Sequence, residues 1–220
     1  MLFPDLRDKV FGYLNMNVEA QKWCAENRID CGNKNPLLDP IFCERVKNLI
    51  HLKYDLDCSY GGWMEDRSFI WKGSYLEERR NFVHLGVDFY VPAGTEVAVD
   101  FDAEVVRVDD DYPDEGGWGP RVIVRHLYKP IYMLYAHLGR NIHFVRSSKL
   151  ESGMIFAQVG APPFNGNWSP HLHIQTISSE YYRELELNNS WNDLDGYGRV
   201  EDFEKNVRRF RDPMQYVSLV

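Results

Sequence analysis

Five residues in the middle of the chain have types and spacings that fit a metal site. His84 and Asp88 lie four residues apart in HLGVD, His137 follows in YAHL, and His171 and His173 flank a leucine in HLH. Because side chains alternate across a strand, both histidines of HLH point to one face if that segment is extended, as do His84 and Asp88 in theirs. Two imidazoles and a carboxylate can hold Zn²⁺ and leave a fourth position for water, whose pKa the metal lowers towards roughly 7. The combination of these elements is compatible with a metal site that activates water.

The segments that carry these residues have the period of strands. Six short stretches after about residue 80 are rich in β-branched or aromatic residues, and turn signals at 92–94, 116–117 and 162–163 separate them. Short strands without intervening helices predict an antiparallel sheet or sandwich instead of βαβ units. The acidic stretch 109–115 is expected to be a solvated hairpin loop, with a calcium site as the alternative. The six predicted strands are 96–100, 104–108, 121–126, 131–137, 154–160 and 171–177.

The first 60 residues have helical spacing instead. Phe42, Val46, Leu49 and Ile50 form one apolar stripe, and Asp39-Pro40 supplies an N-cap and a first-turn proline. Further helices are predicted over 18–28 and 200–211. We therefore predict an α+β, mostly β fold, with an N-terminal helical subdomain at 1–60 and a β core with a C-terminal helix at 61–220. The stripe needs an apolar cover, for which the outer face of the core is expected.

The composition is that of an acidic globular protein. Of 220 residues, 44% are hydrophobic and 26% charged, and the formal net charge is −8. This charge argues against nucleic-acid binding, which needs a basic face. No segment has the roughly 20 apolar residues of a membrane span, and the N-terminus lacks the pattern of a secretory signal. The sequence as it stands is thus expected to be cytoplasmic, and exported only if a signal precedes it; it leaves the oligomeric state open.

Three blocks resemble the lysostaphin- or LytM-type zinc metallopeptidases: HLGVDFYVPAGTEVAV, YAHL and SPHLHIQ. The similarity extends over about residues 80–178. It implies the duplicated hybrid motif fold, an antiparallel β core with a groove, and one zinc ion per chain. It also implies that His84, Asp88 and His173 bind the metal, while His137 and His171 are catalytic residues beside it.

Some positions depart from the family pattern. Asp102-Ala103 stands where a glycine turn is usual, Trp168 lies in the loop before HLH, and Gln175 stands where many members have glutamate. These changes leave the ligand set intact and alter the groove, so they bear on the substrate. Trp168 and Tyr135 are candidates to line the groove, with packing roles as the alternative.

Other polar residues are interpreted as structural. His126 ends a predicted strand, with a place in the groove as the alternative, and His51 and His143 match no site position. Some family members plug the zinc site with an asparagine from an N-terminal segment. Asn33 and Asn35 are the candidates for such a plug here, although a structural cap is the preferred interpretation.

The resemblance implies a zinc metalloendopeptidase, typically one that cuts peptide cross-links of bacterial cell walls. One of His137 and His171 would accept a proton from water and the other would donate a hydrogen bond to the oxyanion, in an order that the sequence does not assign. No H-E-x-x-H helix is present to supply a glutamate base. Two alternatives stay open: a zinc hydrolase acting on an intracellular small molecule or peptide, and a non-catalytic regulatory binding module. The missing export signal favours the former, and the complete ligand set disfavours the latter.

Overall fold

The computed structural model describes residues 1–111 and 116–219, so residues 112–115 of the predicted acidic hairpin loop lie outside the described residues. No helix among the described residues is long and apolar enough to cross a membrane.

The described chain forms twelve strands, five α-helices and five short 3₁₀ helices. The strands are β1 (Phe11–Tyr13), β2 (Cys58–Gly61), β3 (Val83–His84), β4 (Val87–Tyr90), β5 (Glu96–Ala98), β6 (Ala103–Asp111), β7 (Gly119–His126), β8 (Ile131–Ala136), β9 (Lys149–Leu150), β10 (Ile155–Gln158), β11 (Leu172–Ser178) and β12 (Tyr197–Gly198). The helices are α1 (Met16–Glu26), α2 (Pro40–Tyr54), α3 (Tyr75–Arg79), α4 (Ser179–Asn188) and α5 (Phe203–Arg209), and the 3₁₀ helices are Pro4–Leu6, Pro36–Leu38, Trp191–Asp193, Val200–Asp202 and Pro213–Gln215.

Eight strands form one sheet in the order β1-β2-β4-β11-β8-β7-β6-β9. Strands β1 and β2 run parallel, and the other neighbours in this sheet are antiparallel. Two further pairs, β5 with β10 and β3 with β12, are also antiparallel. The predicted α+β, mostly β fold is confirmed, with the parallel edge pair as an addition that the sequence pattern did not indicate.

The six predicted strands correspond to β5, β6, β7, β8, β10 and β11. Strand β11 is buried along its whole length, because it lies between β4 and β8 in the sheet. The strands that were not predicted are short, two to four residues each. Strands of this length are too short to show alternating apolar and polar residues in the sequence, and they depend on pairing partners that are distant in sequence.

Helix α2 begins where the sequence predicts, since the Asp39 carboxylate accepts a hydrogen bond of 2.7 Å from the Phe42 amide. Val46 and Ile50 of the apolar stripe are buried, but Leu49 is 41% exposed, so its placement in the buried stripe was wrong. The buried face instead includes Lys47 and His51. These polar residues are buried because each has a partner: Lys47 pairs with Glu44, and the His51 imidazole bonds the Ser59 hydroxyl at 2.7 Å.

The N-terminal residues contribute to two apolar clusters. Leu2 and Phe3 pack in the main core, and the Leu2 carbonyl accepts a hydrogen bond from the Ala98 amide of β5. Val46 and Ile50 pack in a second cluster, whose members come from α1, α2 and the segments at residues 37 and 70. The cover of the stripe is therefore chiefly α1 and these segments, and not the outer face of the sheet. The domain boundary at residue 60 stays a prediction.

Deleting residues 1–60 is expected to give insoluble or unfolded protein, because the deletion removes β1, most of β2 and the Leu2–Phe3 contribution to the core. Soluble yield and thermal melting followed by circular dichroism measure the effect. A matched pair of point variants on α2 gives a graded test. Ile50→Ala should lower the free energy of unfolding by about 2–5 kcal/mol, whereas Leu52→Ala, at an exposed position, should change it little.

A truncated protein that remains folded and hydrolyses substrate faster than the full chain would contradict this prediction. That result would indicate an inhibitory segment in place of a structural one.

Candidate metal centre

Strand register brings the three predicted ligands together. In the antiparallel pair of β4 and β11, Asp88 lies directly opposite His173, so their side chains extend from the same face. His84 ends the short strand β3, three residues before β4 begins. Gly86 lets the segment between β3 and β4 lie close to β11. A Cβ at this position would lie 2.6 Å from the His173 Nε2 and would also meet the Ile174 carbonyl oxygen. These backbone relations place two imidazoles and one carboxylate in a single buried cluster.

The three ligand atoms converge on one point. His84 Nε2 lies 3.1 Å from His173 Nδ1 and 3.2 Å from Asp88 Oδ1, and His173 Nδ1 lies 2.9 Å from the same oxygen. Ligands of a tetrahedral zinc ion, with bonds near 2.0–2.1 Å, are separated by roughly 3.3 Å. The spacing in the cluster is close to this value, so the donor set fits a zinc ion in size and in chemical type.

Hydrogen bonds at the far side of each imidazole decide which nitrogen is available to a metal. His84 Nδ1–H donates to the Gly62 carbonyl oxygen at 3.1 Å, which leaves the Nε2 lone pair directed into the cluster. His173 Nε2–H donates to the Gln175 Oε1 at 3.0 Å, which leaves the lone pair of Nδ1. Gln175 is itself fixed, since its Nε2 donates to the Asp195 carbonyl oxygen at 3.1 Å. Two imidazole lone pairs and a carboxylate oxygen thus meet without a proton between them, an arrangement that a cation stabilises.

Electrostatics favour the protonation states that a metal requires. Burial lowers the pKa of His84, and the attraction of Asp88 offsets this only in part. Burial alone would raise the pKa of Asp88, but the neighbouring His84, His171 and His173 outweigh it and hold the pKa well below its ordinary value. A neutral imidazole and an ionised carboxylate are the forms that bind metal.

The two predicted catalytic histidines lie beside the cluster. The rings of His137 and His171 are 4.4 Å apart between centroids, and His137 lies 6.0 Å from the ring of His173. His171 Nε2 is 3.7 Å from Asp88 Oδ1. The structure therefore brings all five predicted residues into one site.

Both of these histidines are held by backbone carbonyls through Nδ1. His137 Nδ1–H donates to the Asn165 carbonyl at 2.9 Å, and His171 Nδ1–H donates to the Ser169 carbonyl at 2.7 Å. Burial lowers the pKa of each imidazole. Each is thus a neutral imidazole with a basic Nε2, which is the form that can accept a proton.

His137 occupies an unusual backbone conformation. It directly follows β8 with a φ of 62°, in the left-handed region that non-glycine residues seldom occupy. The His137 amide donates to the Trp118 carbonyl, and the His137 carbonyl accepts a hydrogen bond from the Gly160 amide. These two bonds hold the turn that directs the imidazole away from the strand and towards the cluster.

A buried arginine supports the ligand carboxylate, and the sequence pattern gave no signal for it. The Arg67 Nη2 lies 2.8 Å from Glu65 Oε2 and 4.0 Å from Asp88 Oδ2, while Nη1 donates to the Tyr90 hydroxyl at 2.6 Å. The arginine is 2% exposed. Its positive charge lies beside Asp88 and opposes protonation of that carboxylate.

A pocket opens beside the cluster. Asp88, His137, His171 and His173 line it, and so does Trp168, as one of the two sequence interpretations had it. Tyr135 is fully buried and packs edge-on against Phe156, so it has the packing role.

The other polar residues considered from the sequence lie elsewhere. His126 stacks on Phe101 with centroids 4.4 Å apart, and His143 is exposed. Asn35 caps the 3₁₀ helix at 36–38 and donates to the Phe69 carbonyl, while Asn33 is exposed. Asn35 thus has the capping role that the sequence favoured over a plug in the metal site.

Residues 82–184 match the family model of peptidase family M23. The similarity to this family therefore covers 103 of the 220 residues. The matched range contains His84, Asp88, His137, His171 and His173, and the lysostaphin-type resemblance is confirmed. An M23 domain is a domain of the metallopeptidase class, which agrees with the hydrolase chemistry of the cluster.

Solved structures similar to the chain include peptidases of the same type. One is a zinc-containing peptidase from Vibrio cholerae, with 25% identity over 44% of this chain and 28% of that one, at a TM-score of 0.38. Another is the catalytic domain of the antimicrobial peptidase lysostaphin from Staphylococcus simulans, with 20% identity over 61% of this chain and 79% of that one, at a TM-score of 0.42. A third is the catalytic domain of a prophage-encoded M23 protein from Enterococcus faecalis, with 23% identity over 44% and 68% of the two chains, at a TM-score of 0.37. The chain spans 28% of the length of the Vibrio cholerae peptidase, and among curated proteins none matches it.

Proposed function

We propose that the protein is a zinc-dependent peptidase that hydrolyses a peptide bond. The observation that carries the proposal is the convergence of His84 Nε2, Asp88 Oδ1 and His173 Nδ1 at mutual distances of 2.9–3.2 Å. The M23 domain supports the peptidase class. The zinc-containing peptidase among the similar structures agrees with zinc as the metal.

The residues divide into ligands and proton carriers. His84, Asp88 and His173 would hold the metal, which would supply a Lewis acid able to polarise a carbonyl and to make a nearby water more acidic. His137 and His171 then act through Nε2, since Nδ1 of each is engaged with a backbone carbonyl. One of them accepts the proton of the attacking water on Nε2. The resulting imidazolium can donate that proton to the leaving amine. The second histidine would donate to the oxyanion after it takes up a proton from solvent on its own Nε2, because its Nδ1–H is engaged with a backbone carbonyl.

Bacterial cell-wall peptide is the substrate class that the family resemblance implies, and an intracellular small molecule or peptide is the alternative. We expect the full-length protein to cleave members of a defined peptide panel or purified cell-wall sacculi, with release of new amino termini. A chelator should abolish cleavage, and added zinc should restore it. Protein that contains zinc but cuts neither substrate would favour the non-catalytic binding module.

A further inference from the structure

The pocket beside the metal cluster has an apolar, largely aromatic wall. Trp71 packs edge-on against Trp168 and against Tyr197, with ring centroids 5.1 and 5.2 Å apart. The Tyr197 ring in turn lies 5.2 Å from that of His84. The aromatic wall therefore continues directly from a metal ligand into the pocket.

The polar ends of two tryptophans in this wall are already engaged. Trp168 Nε1 donates to the Gly117 carbonyl at 2.7 Å, and Trp118 Nε1 donates to the Leu194 carbonyl at 3.2 Å. These bonds fix the rings and leave their carbon surfaces to line the pocket. A wall of this kind favours an apolar group over water or a polar group.

The two basic side chains that line the pocket are paired. Lys47 forms an ion pair with Glu44 and donates to the Pro170 carbonyl at 3.2 Å, and Arg67 pairs with Glu65 at 2.8 Å. Their charges are compensated within the protein. Neither basic side chain therefore presents an unpaired positive charge that a substrate carboxylate would have to meet.

Much of the wall comes from outside the M23 domain. Met16, Leu37 and Leu38 come from the N-terminal segment, and Ile70 and Trp71 come from the segment before β3. The pocket is therefore a property of this chain as a whole. The residues that position the metal and those that shape the pocket are largely different sets.

We propose that the pocket with this aromatic wall binds a large apolar side chain next to the scissile amide bond and so determines substrate specificity. The inference rests on the proposed peptidase function and names its substrate class: peptides with phenylalanine or a similar residue beside the cut. A glycine at that position has no side chain to fill the pocket, whereas a benzyl group displaces water from apolar surface that adjoins the catalytic histidines.

The test uses acetylated peptides that differ in one residue, placed on either side of the cut bond. We expect kcat/KM to be at least about tenfold higher for phenylalanine than for glycine on one of the two sides. Leu38→Trp, which fills part of the pocket, should bring that ratio close to one. Leu52→Trp is the matched control, because Leu52 lies on the exposed face of α2 and should leave the ratio unchanged.

Binding without hydrolysis separates this inference from the proposed function. The full-length protein should bind N-acetyl-phenylalaninamide more tightly than N-acetyl-glycinamide, measured by calorimetry and by the fluorescence of the pocket tryptophans. Preferential binding without cleavage of any peptide would uphold the pocket and contradict the peptidase function. Cleavage with an equal or greater rate on glycine peptides would uphold the function and overturn the pocket. Equal binding of the two amides would also overturn the pocket.

Discussion

His173→Ala is expected to abolish both metal binding and hydrolysis. His173 supplies one of the three converging ligand atoms, and the remaining pair, His84 and Asp88, cannot enclose a cation alone. Loss of even an outer partner of a ligand commonly lowers metal affinity by about 10- to 100-fold, so loss of the ligand itself should exceed that range. Calorimetric zinc titration and rates on a cleaved peptide measure the two effects.

His126→Ala is the matched control for this variant. It also removes a buried histidine from a strand, but one that stacks on Phe101 away from the metal cluster. Thermal melting of both variants shows whether either loses its fold. A folded His173→Ala protein with the zinc affinity of the unsubstituted chain would contradict the assignment of this ligand.

His137→Ala should retain zinc and lose rate, on the order of 10²-fold or more. Its imidazole lies 6.0 Å from the His173 ring, beside the ligands but outside the converging set. Alanine is less favoured than histidine in this left-handed backbone conformation, so thermal melting of the variant checks that the turn persists. Steady-state kinetics on a fixed peptide, together with elemental analysis, distinguish the catalytic role from a ligand role.

His51→Ala serves as the control for His137→Ala. His51 lies on α2, is buried against Ser59 of β2 and does not line the pocket. If His137→Ala loses its zinc, the residue is a ligand or supports one. If it keeps both zinc and full rate, it is not a catalytic residue.

The parts of the fold predicted from the sequence are those with a strong local pattern. Strand β7 contains the β-branched run at 122–124, strand β11 begins with alternating apolar and polar residues, and α2 has an N-cap aspartate followed by proline. Helix α4 was not predicted, because its buried residues Tyr181 and Tyr182 are compatible with strand or surface positions. The buried face of α2 was misplaced for a related reason: a rule based on apolar residues does not anticipate that Lys47 and His51 are buried with partners from elsewhere in the chain.

The five site residues could be identified because strand alternation and the family resemblance are both visible in the sequence. The groups that fix the histidine tautomers could not all be identified in this way, since the Gly62 carbonyl is a backbone group distant in sequence from His84. Gln175 had a detectable signal: it lies two residues after His173 on the same strand and therefore on the same face. Arg67 reaches Asp88 only through the tertiary fold, so no spacing in the sequence indicates it.

The zinc content of the purified full-length chain tests the central claim most directly. Elemental analysis of protein prepared without added metal should give about one zinc per chain, because three buried lone pairs meet at the spacing of zinc ligands. The His173→Ala variant prepared in parallel should contain none. An unsubstituted chain that is free of zinc, and that binds none when zinc is added, would contradict the account.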